Sequence, residues 1–147
     1  MPDTIPTPRS RPIPPKSGDE QATYHLRLGE FEETPCLSVA ECNTLLESIR
    51  SRGARQPVNS EVYNSTVEYV RTFSRFKDHK TVTQVDVLLD EWVKRGVLVP
   101  FEKAQIASLC CDTAEEAKTL IPSLESKIDD DELQGLLNDI IKLRDFS

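Results

Sequence analysis

The chain has 147 residues, a formal net charge of -7 and 29% charged side chains. That length suits one small domain with a single core, and the acidic balance argues against a stand-alone nucleic-acid binder, whose phosphate contacts call for a basic excess. No apolar run approaches the roughly 20 residues that span a bilayer, and the N-terminus lacks the apolar stretch of a signal peptide, so no membrane partner and a cytosolic or nuclear place are expected.

Only five glycines are present, and Leu, Val, Ala and Glu are plentiful, a balance that favours helix. Residues 1–21 read as a disordered tail. Six of the ten prolines fall there, at Pro2, Pro6, Pro8, Pro12, Pro14 and Pro15, where they remove backbone donors and forbid helix. Pro12-Ile13-Pro14-Pro15 also favours an extended left-handed helix, the form that proline-recognition grooves take. Tyr24-His25-Leu26-Arg27-Leu28 alternates apolar and polar residues, the period of a strand with one buried face. A lone strand leaves both edges unpaired. Either the segment is a loop, or it adds to a sheet of another chain.

Helices follow. Ser38 with Glu41 has the spacing of a capping box, and Val39, Cys42, Leu45, Leu46 and Ile49 share one helical face behind it. Gly53 and Pro57 mark Arg50 to Asn59 as a loop. A second helix is expected over Ser60 to Phe76, with Tyr63, Val67, Val70 and Phe73 as its stripe. Asp78 is expected to cap a third, carrying Val82, Val85, Leu88, Leu89 and Trp92 and ended by Gly96. A short helix runs from Phe101 to Cys110. Another, capped by Asp112 or Thr113, runs to about Ile121, where Pro122 stops it. The last starts in Asp129-Asp130-Asp131-Glu132 and carries Leu133, Leu136, Leu137, Ile140 and Ile141. The sum is an all-α architecture of about six helices and one strand. Its expected division is a tail (1–21), a docking strand with the first helix (22–52) and a helical domain (53–147).

Little here suggests chemistry. His25 and His79 stand without a nucleophile pattern. The acidic run 129–132 fails the calcium-loop template, because Leu133 and Gln134 occupy positions that need a ligand and a glycine; acidic residues at a helix start suit the macrodipole instead. Cys36, Cys42, Cys110 and Cys111 form no C-x-x-C pair and read as buried or half-buried free thiols, not a zinc site. No glycine-rich phosphate loop occurs. No catalytic residue, metal or cofactor is therefore expected. Phe73-Ser74-Arg75-Phe76-Lys77 interleaves aromatic and basic residues, as single-stranded nucleic-acid sites do. The competing reading is a helix end, with both phenylalanines in the core and Arg75 and Lys77 on the last turn.

Four stretches carry more. Pro100-Phe101-Glu102-Lys103-Ala104-Gln105-Ile106-Ala107-Ser108-Leu109-Cys110 is followed by Asp112-Thr113-Ala114-Glu115-Glu116-Ala117-Lys118. Then come Leu120-Ile121-Pro122-Ser123-Leu124-Glu125 and Asp130-Asp131-Glu132-Leu133. With Phe73 to Lys77, and Leu26-Arg27-Leu28-Gly29 before Phe31-Glu32, they resemble the fourth-subunit family of eukaryotic RNA polymerase II. The resemblance covers about residues 24 to 146. It implies an HRDC-like helical bundle, of the kind shared with helicases and RNase D. It further implies an N-terminal part packed on the polymerase's OB-fold-bearing stalk subunit, giving a heterodimer on the core polymerase near the RNA exit path. Roles in initiation, in handling nascent RNA chiefly through the partner and in mRNA fate follow from it. So do a nuclear place, with shuttling to the cytoplasm, and no catalytic residue in this subunit. On this reading Tyr24, Leu26, Leu28 and Phe31 bury against the partner, supported by Leu45, Leu46 and Ile49, and Arg75 and Lys77 are the candidates for nucleic-acid contact. The equivalent subunit of another nuclear polymerase and a stand-alone helical nucleic-acid-binding module remain as alternatives.

Overall fold

The computed structural model describes residues 18–53 and 60–146. Most of the expected tail and of the Arg50 to Asn59 loop lies outside them. The elements in chain order are β1 (Gln21–Ala22), β2 (Leu26–Arg27), α1 (Val39–Ser51), α2 (Glu61–Phe73), α3 (His79–Lys94), α4 (Pro100–Leu109), α5 (Ala114–Leu120) and α6 (Asp130–Asp145). The chain is mainly helical, as its composition and periodicity imply.

Helix starts follow local chemistry. Hydroxyls of Ser38, Ser60 and Thr113 accept from the backbone N–H groups of Glu41, Tyr63 and Glu116 at 3.1–3.2 Å, satisfying donors the helices cannot. Asp129 does the same for Asp131 at 3.3 Å. Asp78 holds the position before α3, but its side chain makes no capping bond. Pro100 is the first residue of α4, where its missing N–H costs nothing. Gly96 has φ +75, and the amides of Gly96 and Val97 turn back to the carbonyls of Val93 and Trp92 at 2.9 and 3.1 Å, which closes α3.

The main core is built by α3 to α6. Val82, Val85 and Leu89 of α3 meet Ile106 and Ala107 of α4, Ala117 of α5, and Leu133, Leu136, Leu137 and Ile140 of α6. Ala40 of α1, Phe76, Leu98 and, around the turn after α5, Ile121, Leu124 and Ile128 belong to it too. Helix α1 packs on α2, α3 and α4; its first amide, Val39 N–H, donates to the Ser108 hydroxyl of α4 at 3.1 Å. The Gln134 side chain ties α6 to the start of α5, accepting from Ala114 N–H at 2.9 Å and donating to the Asp112 carbonyl at 3.0 Å.

One charge is fully buried. The Glu102 side chain is 0% exposed. Its carboxylate accepts from Val99 N–H at 3.0 Å, from the Ser123 hydroxyl at 2.5 Å and from Lys127 Nζ at 2.8 and 2.9 Å. It thereby pins the start of α4 to the turn after α5.

Three expectations need correction. The strand is not alone: Leu26 and Arg27 pair antiparallel with Ala22 and Gln21 in a two-residue ribbon. Tyr24 and His25 lie in the bend between these strands. Helix α2 stops at Phe73, not Phe76. Phe73 is 57% exposed while Phe76 is buried. The inward row of α2 is Tyr63, Val67, Val70 and then Ser74 (spacing 4-3-4), and the buried Ser74 hydroxyl donates to the Phe76 carbonyl at 2.7 Å. Phe73 falls one position off that row. Arg75 and Lys77 consequently sit in the loop after α2, not on its last turn.

Candidate partner-docking surface

The seven residues expected to meet a partner divide into two sets. Tyr24 (67% exposed), Phe31 (56%), Leu45 (47%) and Ile49 (46%) stand in solvent. Leu26 and Leu46 are half-buried, and Leu28 is buried within this chain. Leu28 lies outside the main core cluster, so it acts as the local anchor of the hairpin segment. Helix α1 explains the split. Its inward positions are Ala40 and Asn43, and Cys42 and Leu46 are half-buried. Leu45 and Ile49, one turn apart, point the other way. Leu37, just before the helix, is also exposed and was not singled out from the sequence, because it precedes the periodic stripe.

Between α1 and α3 this face opens into a cleft of about 320 Å³, with Leu37, Leu45 and Val82 as apolar walls and Glu41 and Asp86 inside it. Asp86 is paired with Lys103 of α4 at 2.6 Å, and Lys103 also reaches Asp90 at 3.4 Å. Burial pulls Lys103 down, but Asp86 and Asp90 outweigh it and hold the ammonium above its usual range. Glu41 has the opposite problem. Burial first, and then the Asp86 charge, push its carboxyl above the ordinary range despite hydrogen bonds from Ser38.

A second outward row runs along α2. Val62, Thr66, Tyr69 and Phe73 are all exposed, and the Tyr69 and Phe73 rings lie 4.7 Å apart at 40°. The signal for it was present as apolar residues off the Tyr63 stripe. Arg71, Arg75 and Lys77 are exposed beside its end, with Lys77 Nζ donating to the Arg71 carbonyl at 2.9 Å. The structure therefore brings the two nucleic-acid candidates next to an outward aromatic pair.

The cysteines are free thiols, half-buried at 36 and 42 and buried at 110 and 111. Burial pushes the Cys110 thiol up to about 11, despite the nearby charges of Arg75 and Arg144. Its backbone is left-handed (φ 48), and its S–H donates to the Ala107 carbonyl at 3.2 Å. Among the described residues no three His, Cys, Asp or Glu side chains gather as a metal site, and no helix is long and apolar enough to cross a membrane.

Residues 36–144 match the family model described as RNA polymerase Rpb4. The chain is 38% identical over 137 residues to the DNA-directed RNA polymerase II subunit rpb4 of Schizosaccharomyces pombe, an alignment covering 90% of this chain and 98% of that protein. It is 32% identical over 137 residues to subunit 4 of DNA-directed RNA polymerase II from Arabidopsis thaliana, covering 87% and 96%. Against the Saccharomyces cerevisiae subunit RPB4, identity rises to 51% over 85 residues, which is 58% of this chain and 37% of that longer protein.

Proposed function

The chain belongs to the RNA polymerase Rpb4 family, and we propose from that membership that it is a nuclear, non-catalytic subunit of DNA-directed RNA polymerase II. It joins the enzyme through the OB-fold-bearing stalk subunit and serves initiation and the handling of emerging RNA. The observation that supports the docking mode is the row of apolar side chains its own fold leaves in water: Tyr24, Phe31, Leu37, Leu45 and Ile49. Apolar side chains left in water on a partner-facing segment favour an interaction surface there. A two-residue ribbon is marginal by itself and gains from a partner's sheet edge. Segment 22–52 is thus the docking part, and 53–147 the helical domain.

Co-expression with the OB-fold-bearing subunit tests this. A complex of equal stoichiometry is expected, and Leu45→Asp with Ile49→Asp should abolish it by burying unpaired charge. A monodisperse monomer that ignores that subunit would refute the reading.

Nucleic-acid contact by this subunit itself is favoured by one observation, the outward Phe73. With Tyr69 it offers a stacking face beside Arg71, Arg75 and Lys77. Binding of single-stranded RNA by the heterodimer should fall with salt and with Phe73→Ala or Arg75→Glu; unaltered binding by both variants would remove the reading.

A further inference from the structure

The cleft between α1 and α3 holds an acid whose hydrogen-bond partners in the fold are neutral, the backbone and hydroxyl of Ser38 at the start of α1. Lys103 pairs with Asp86 and also reaches Asp90, which has a closer partner in Lys94 at 3.1 Å, while Glu41 feels Lys103 only at longer range and has no ion pair of its own among the described residues. His79 also lines the cleft, but its Nδ1 lies 3.3 Å from the Thr83 hydroxyl and not on Glu41. Around Glu41 stand Leu37 and Leu45, both exposed, and Val82. Apolar walls leading to an uncompensated carboxylate match one kind of side chain: a long aliphatic stem ending in a cation.

We infer that this cleft receives a lysine or arginine side chain of the docked partner subunit, its stem lying between Leu37 and Leu45 and its head on Glu41. The inference rests on the reading that the outward face of α1 meets that subunit, and it names the chemistry that fixes register there. Occupation would supply the cation that Glu41 lacks. The raised carboxyl is consistent with this, since burial and Asp86 both oppose its charge in the free chain.

The test uses the full chain and the purified OB-fold-bearing polymerase subunit, with affinity and thermal melting measured for Glu41→Gln and Glu41→Lys. Glu41→Gln should bind about tenfold more weakly, because it removes one member of a partly desolvated charge pair. Glu41→Lys should bind more weakly still. Glu41→Gln should melt no lower than the parent, so that lost affinity cannot be ascribed to lost fold. Affinity within twofold of the parent for both variants, while Leu45→Asp abolishes assembly, would overturn the cleft and leave the docking face standing. Assembly unaffected by Leu45→Asp would overturn the docking face itself. Tighter binding by both Glu41 variants would show that the occupant is the chain's own basic N-terminal segment (Arg9, Arg11, Lys16), released from competition, and would overturn the proposal.

Discussion

Lys127 is an exposed residue by its overall surface, yet its removal should behave like a core mutation. Its ammonium holds both oxygens of Glu102 at 2.8 and 2.9 Å, and the Glu102 side chain is 0% exposed against 31% for Lys127. Lys127→Met leaves a carboxylate in the interior with only Val99 N–H and the Ser123 hydroxyl as partners. Breaking a buried pair by removing one ion costs about 3–5 kcal/mol, whereas an ordinary surface substitution stays within about 0.5 kcal/mol. Space vacated by Lys127 lets some water approach, which places the expected loss at the low end, about 3 kcal/mol. For a chain of this size that lowers the melting midpoint by roughly 6–12 °C. Glu102→Gln keeps the shape, loses the charge and turns an amide toward the ammonium. Lys127, being partly exposed, can then withdraw to solvent, so this single change should cost less, about 1.5–3 kcal/mol. The double variant should recover much of the sum of the two losses, because neither charge is then stranded. Thermal and urea unfolding followed by circular dichroism read all three. A Lys127→Met loss below about 0.5 kcal/mol, the ordinary surface range, or additivity in the double variant, would refute the argument.

Other expectations follow from the same geometry. Glu41 has a folded carboxyl raised above its unfolded value, so the native state holds that proton more tightly; its contribution is present below the usual carboxylate range and is lost as pH rises through the folded value. Stability measured from pH 4 to 7 should therefore fall less in Glu41→Gln than in the parent, and an identical profile would contradict the assignment. Lys103 has a raised ammonium, so its stabilising share persists below its ordinary value and fades as pH climbs through the folded one; Lys103→Met should remove that alkaline loss in denaturant titrations. With its thiol held up to about 11 by burial, Cys110 should react with a maleimide far more slowly than the half-buried Cys36 in the native chain, and equal rates by mass spectrometry would count against its burial. Phe73→Ala should shift the melting midpoint by only a few degrees, unlike Phe76→Ala, whose ring is buried and whose loss should cost about 3–5 kcal/mol.

Helices α3 to α6 were legible because each signal there is local. Val82, Val85 and Leu89, and Leu133, Leu136, Leu137 and Ile140, recur at helical spacing and are all buried. Thr113 caps, Pro122 stops and Gly96 turns the chain, each through its own backbone chemistry. What escaped depends on partners distant in sequence or on a choice between two faces. Gln21 and Ala22 carry no strand pattern, so the ribbon they form with Leu26 and Arg27 was invisible. Helix α2 has apolar residues on two rows, and periodicity alone could not decide that Ser74 and not Phe73 continues the inward one. Glu102 reads as an ordinary early-turn acid until Lys127, 25 positions on, closes over it. The docking candidates fared unevenly for the same reason: alternation placed Tyr24, Leu26 and Leu28 on one face, but the bend exposes Tyr24 and the local packing claims Leu28.

Apart from Phe31, the stretches that carry the family resemblance and the side chains proposed to carry assembly are therefore different sets. Glu102, Ser108, Thr113 and Ser123 lie in the resembling stretches, and each is spent inside the chain: an ion pair, the anchor of α1, a helix cap and a buried donor. Leu37, Leu45 and Ile49 lie outside them and bind nothing within the fold that would hide them from water. Substitutions in the first set should abolish assembly only by lowering the melting midpoint, and should be rescued at reduced temperature. Substitutions in the second should abolish it with the midpoint unmoved. A signature change that blocked assembly without loss of stability would mean that the partner touches the helical domain as well as α1.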